Sequence, residues 1–118
     1  MTTEAELLAR RCVEYPKGSP TLSAEAVQRM LPLVPGWELV EEGKGLRLNR
    51  RLADFMAAVD LVNKVAALAE EEQHHPDIRV YGYRNLTLDL STHSIGGLSD
   101  NDFIMAAKIN RLLRESGA

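Results

Sequence analysis

One cysteine is present, Cys12, so no internal disulfide can form. A single thiol with no evident partner is read as a reduced side chain in the cytosol rather than a nucleophile, and the stretch around it as poorly ordered. No apolar run approaches the roughly 20 residues needed to span a bilayer. The first residues lack the order of a signal peptide, so the expected location is cytoplasmic and no membrane contact is foreseen. Basic residues are outnumbered, 14 Lys and Arg against 17 Asp and Glu for a formal net charge of −3. They are not run together, which argues against a nucleic-acid partner. Repeats and low-complexity segments are absent.

What remains is a chain of 118 residues with an ordinary apolar share of 45%, enough for one compact domain with a modest core. Residues 1–20 read as an N-terminal arm: a short helical run around Glu4 to Arg11, then the breaker-rich Tyr15-Pro16-Lys17-Gly18-Ser19-Pro20. Residues 21–118 read as the single domain.

A helix capped by Thr21 or Ser23 carries Val27, Met30, Leu31 and Val34 on one face. Pro35-Gly36 closes it. Trp37 and Leu39, then Leu46 and Leu48 beyond the Gly43-Lys44-Gly45 turn, alternate with polar residues as a hairpin does. The longest helix is expected over about 53–72, with Phe55, Val59, Val62, Ala66 and Ala69 as its apolar stripe. Pro76 cannot continue it. Ile78, Val80 and Tyr81 suggest a third strand. Leu86, Leu88 and Leu90 mark a fourth that delivers Thr92 and His93 at its end. Ser99 with Asp102 resembles a capping box for a last helix bearing Phe103, Met105, Ala106, Ile109, Leu112 and Leu113. The order is helix, hairpin, helix, hairpin, helix. Two hairpins make an antiparallel sheet that helices can cover on one face, an α+β architecture. The uncovered face, or a strand edge, is left for self-association.

The chain has three histidines, two adjacent at a helix exit (His74, His75) and one at a strand end (His93). Each flanks a chain break, where side chains can converge on a pocket, and histidine suits proton transfer near neutral pH. Chemistry alone leaves two readings open: an acid–base cluster, or caps and surface residues. A metal centre is not expected, because adjacent histidines are poorly placed to share one ion and no i, i+4 His pair or Cys pair is present. Gly96-Gly97 lacks the fingerprint of a phosphate loop and reads as a turn needing positive φ. The Glu70-Glu71-Glu72 run reads as mostly solvated, with one member facing the pocket.

A set of motifs narrows the choice. Pro35-Gly36-Trp37, Asp54-Phe55, Glu70 through Pro76, Tyr83-Arg84-Asn85-Leu86, Leu88 through His93, and Gly96 through Asp102 occur in this order. Together they resemble the pterin-4a-carbinolamine dehydratase family over roughly residues 21–114. The resemblance implies a four-stranded antiparallel sheet with helices on one side, assembled as a homodimer or homotetramer. It implies a hydro-lyase that converts 4a-hydroxy-tetrahydropterin to quinonoid dihydropterin in tetrahydrobiopterin recycling, with no cofactor and no metal. It makes His74, His75 and His93 the catalytic residues, and Glu70, Thr92, Pro76 and Ser91 the substrate-binding ones. Gln73 departs from the family, which often has an acidic residue or Gly there. Asn110 stands where an acidic residue is frequent, and no function is attached to it. The alternative is a non-catalytic module on the same fold that binds pterin or a regulatory protein.

Overall fold

A computed structural model describes residues 2–117. Its helices are α1 (Glu4–Ala9), α2 (Ala24–Met30), α3 (Phe55–Glu72) and α4 (Asp100–Ser116). Its strands are β1 (Trp37–Val40), β2 (Gly45–Arg51), β3 (Asp77–Tyr81) and β4 (Asn85–Leu90). They form one antiparallel sheet in the order β1-β2-β4-β3. The two hairpins therefore join through β2 and β4, leaving β1 and β3 as edges.

The alternation of β2 and β4 decides which face the helices cover. Leu46 pairs with Leu90 and Leu48 with Leu88, and all four are buried with Leu86. Each buried leucine contributes roughly 1.5–3 kcal/mol, and a one-residue slip would turn the whole set to water, so the register is firmly held. The opposite face is polar. There Arg47 donates to Asp89 at 2.7 Å and the Thr87 hydroxyl to Asn49 at 2.7 Å.

α4 is the central helix, buried at every residue from Asn101 to Asn110, because α1 and α3 pack on it while the sheet lies beneath. The Trp37 indole donates to Asn110 Oδ1 at 2.9 Å, and the Asn110 amide donates to Pro35 O at 3.0 Å. Asn110 thus fastens the Pro35-Gly36-Trp37 turn to α4, a structural duty.

Several expectations are corrected. Pro32 ends α2 at Met30, and Leu31–Leu33 form a 3-10 turn, so Val34 reaches the core from outside the helix. Asp54 caps α3, which starts at Phe55 rather than about residue 53, as the Asp54-Phe55 motif of the resemblance has it, its carboxylate accepting from Ala57 N–H. The buried stripe of α3 is Ala58, Leu61, Val65, Ala69 and Glu72, while Phe55 and Met56 are exposed. The helix has apolar residues on more than one face, and packing on α4 selects a stripe that shares only Ala69 with the expected one.

The stretch around Cys12 is bonded rather than loose. Leu7 is fully buried in the core. Cys12 N–H donates to Glu72 Oε1 at 2.8 Å. Glu70 and Glu71 of the acidic run are exposed as expected, but no member lines the histidine cleft, and Glu72 is buried and accepts from Lys108 Nζ at 2.7 Å, with Arg11 at 3.1 Å. Burial pushes the Glu72 carboxyl up, but Lys108, the Cys12 N–H and Arg11 outweigh it and hold the group below its ordinary value. Burial, then the Glu72 charge, pushes the Cys12 thiol up to about 12.

Candidate active site

The site forms where α3, β4 and α4 meet the N-terminal arm. α3 stops at Gln73, whose backbone is left-handed (φ 54, ψ 38) and whose side chain donates to Glu70 O at 2.6 Å. Both Gln73 N–H and His74 N–H donate to Ala69 O, closing the helix. This turn places the two histidines differently: the side chain of His74 is only 11% exposed and that of His75 56%.

His74 Nε2 lies 2.7 Å from Asp102 Oδ1. Asp102 is fully buried, and its Oδ2 accepts from the Thr92 hydroxyl at 2.9 Å and Ser99 N–H at 3.0 Å. Thr92 has one hydroxyl proton and gives it to Asp102, so Ser99 Oγ–H, at 2.7 Å, is the donor toward Thr92 Oγ1. With Oδ2 already accepting two hydrogen bonds, Oδ1 of Asp102 is the natural acceptor for a proton on His74 Nε2. Among the described residues, Nδ1 of His74 has no hydrogen-bond partner.

Asp102 completes the expected capping box with Ser99 and orients a histidine as well. The sequence reading recognised the first duty and missed the second, because the Nε2 contact spans 28 positions.

β4 delivers Ser91 and Thr92, and His93 opens a single 3-10 turn, His93–Ile95. Gly96 has φ +68, as the turn reading required. Gly97 is constrained by space instead, since a Cβ there would stand 2.7 Å from Thr21 Cγ2. Thr92 N–H donates to Gly97 O at 2.8 Å, fixing the strand end.

These segments line one cleft of about 380 Å³. His74, His75 and His93 all line it, as do Pro76, Ser91 and Thr92. The hydroxyl of Thr92, though on the cleft lining, donates to Asp102. Glu70 is not part of the lining. It is exposed and pairs with His75 Nε2 at 2.5 Å. Unforeseen members are Gln73, Asp77, Ser94, Asn101 and three arm residues, Val13, Glu14 and Tyr15. Among the described residues, no three His, Cys, Asp or Glu side chains are placed to share a metal ion.

The model of the family described as pterin 4 alpha carbinolamine dehydratase matches residues 20–112, and the chain belongs to that family. A protein of Rubrobacter xylanophilus carrying the provisional name pterin-4-alpha-carbinolamine dehydratase is 43% identical over 108 residues, covering 92% of this chain and 99% of that one. The mitochondrial pterin-4-alpha-carbinolamine dehydratase 2 of Arabidopsis thaliana is 40% identical, covering 92% of this chain and 59% of its own length. Among solved structures, a transcriptional coactivator/pterin dehydratase from Brucella melitensis matches with TM-score 0.74 and 27% identity, over 79% of this chain and 98% of that one. A pterin dehydratase-like protein described as a RuBisCO assembly factor shares the fold at TM-score 0.56 and 20% identity, over 65% of this chain and 88% of that one. The family makes the chain a hydro-lyase of the pterin-4a-carbinolamine dehydratase type.

Proposed function

We propose that this chain dehydrates 4a-hydroxy-tetrahydropterin to quinonoid dihydropterin by histidine acid–base catalysis, as a step in tetrahydrobiopterin recycling. The observation that carries the reading is the convergence of His74, His75 and His93 on one cleft, with His74 held by Asp102. In the reaction the N5 lone pair forms the C4a=N5 double bond as the C4a–O bond breaks. The departing hydroxyl takes a proton and leaves as water, and the N5 proton goes to a base. One acid and one base therefore suffice, each contributing roughly 10²–10⁴-fold. His74 or His75, as the imidazolium carrying a second ring proton, is assigned the acid, and His93 the opposite partner. Pro76 and Ser91 supply cleft wall, and Glu70 acts through His75.

A homodimer or homotetramer belongs to this proposal. The edges of β1 and β3 are open, and Phe55 and Met56 of α3 are 51% and 61% exposed, which supports self-association. The cytoplasm is proposed as the compartment on the strength of the lone reduced cysteine.

The test is to follow dehydration of chemically generated 4a-hydroxy-tetrahydropterin by absorbance. Wild type is expected to accelerate it, and a folded His74→Ala, His75→Ala double variant to lose at least about 10²-fold of the acceleration. A wild type that leaves the rate unchanged removes the catalytic reading. It would favour a non-catalytic binding module, a reading supported by the coactivator half of the Brucella melitensis protein's description.

A further inference from the structure

The N-terminal arm enters the cleft and is fastened there. Asn101 grips the backbone of Val13 from both sides: its Oδ1 accepts from Val13 N–H at 2.9 Å, and its Nδ2 donates to Val13 O at 2.6 Å. One residue earlier, Cys12 N–H is bound to the buried Glu72. Beyond Tyr15, Pro16 favours an extended backbone at Tyr15, and Ser19 closes a turn onto Pro16 O through both its N–H and its hydroxyl, at 3.0 and 2.7 Å. The segment is thus tied at both ends without a regular element of its own.

The fastened residues supply what the rest of the cleft lacks. Among the described residues the remaining lining is polar or small apart from Pro76, whereas Tyr15 is its only Phe, Tyr or Trp and Val13 its only large aliphatic side chain. Val13 is 57% exposed, an apolar surface left to water at the mouth of a polar site. Residues 13–15 also lie outside the residues matched by the family model.

We propose that Val13 and Tyr15, held by Asn101, form the binding wall on which the flat substrate ring rests, setting affinity without taking part in proton transfer. This deepens, and rests on, the pterin reading above. Aromatic side chains gain from stacking on flat heterocycles, and a wall already fixed in place is not ordered anew on each binding event. Asn101 is a positioning residue. It is adjacent to Asp102, so the first turn of α4 holds the binding wall with one side chain and the proton-transfer histidine with the next.

The test pairs steady-state kinetics with calorimetric binding of a stable 7,8-dihydropterin, which lacks the 4a-hydroxyl and reports affinity alone. Tyr15→Ala should raise both KM and the Kd of the dihydropterin about tenfold, with kcat changed less than about twofold. Tyr15→Phe keeps the ring and should restore both. Asn101→Ala should move KM and Kd in the same direction as Tyr15→Ala. Thermal melts of the Tyr15 variants, whose side chain lies outside the core, check that they fold. If Tyr15→Ala leaves Kd and KM unchanged, or lowers kcat alone, the wall is overturned. If wild type binds the dihydropterin but does not accelerate dehydration, the catalytic reading fails, and the wall is still judged by the Kd of the variants. If wild type neither binds nor reacts, both fail.

Discussion

Asp102 is a single buried side chain on which two structures depend. Its Oδ2 faces two donors, the Thr92 hydroxyl and Ser99 N–H, and its Oδ1 faces a third, His74 Nε2. An asparagine there has one acceptor atom and one donor atom. With its NH₂ toward Ser99 and Thr92 it would set donors against a donor, so it would place the NH₂ toward His74 and demand the other ring tautomer. Asp102→Asn is therefore expected to lower kcat by about 10²-fold or more and to destabilise the fold by about 1–3 kcal/mol. In nitrogen-15 spectra the His74 ring proton should shift from Nε2 to Nδ1. An unchanged tautomer would mean that Asp102 serves only as a cap.

Cys12 gives a second prediction at this scale. Its thiol is pushed from its ordinary 9.0 up to about 12 by burial, then by the Glu72 charge. The folded chain therefore holds this proton more tightly than the unfolded one. The resulting stability is fully present below about pH 9 and is lost as pH rises toward about 12. Thiol reagents at pH 8 should label the native chain far more slowly than the denatured one. Equal rates would show that the arm detaches readily.

At the scale of elements, the ion cluster of Glu72, Lys108 and Arg11 ties the C-terminal end of α3 to α4 and to the arm. Replacing Glu72 by Gln would leave the Lys108 ammonium buried without a counter-charge, and breaking such a pair costs about 3–5 kcal/mol. Denaturant melts of Glu72→Gln should show a loss of that size, and a loss below about 1 kcal/mol would mean that water reaches Lys108. Because the Glu72 carboxyl is held below its ordinary 4.5, its contribution is present above that pH and disappears as pH falls through the lower folded value.

The elements themselves were largely legible beforehand. The alternating leucines of β4, the Ser99 cap and the Pro76 stop each have a local cause, and each stands where the sequence places it. The face of α3 was not legible, because a helix with apolar residues on several sides does not say which side its neighbour will take. Glu72 was misread for a related reason: a charge run looks solvated until the partner helix brings a lysine to it.

For the whole molecule, the legible and illegible parts of the site divide by distance along the chain. The histidines announce themselves by residue type and by the breaks beside them. Asn101 and Val13 are ordinary residues 88 positions apart, and only the folded chain shows that they bond. Thr92 stands on the cleft lining as expected, and only the folded chain shows that its hydroxyl donates to Asp102. The four-stranded sheet with its covered face and its polar face provides the frame. The site itself is made at the seam where the arm and the last helix meet.

That seam sets an order of events during synthesis. α4 is the last helix in chain order, yet the core is built around it, and the partners of both Val13 and His74 lie on its first turn. While a ribosome is still making residues 1–99, the arm has its contacts with the end of α3 but lacks Asn101, which grips Val13, and His74 lacks Asp102. The arm must then close a loop of 88 positions, a contact that forms late because of its entropy. The cleft therefore matures only after the last helix emerges.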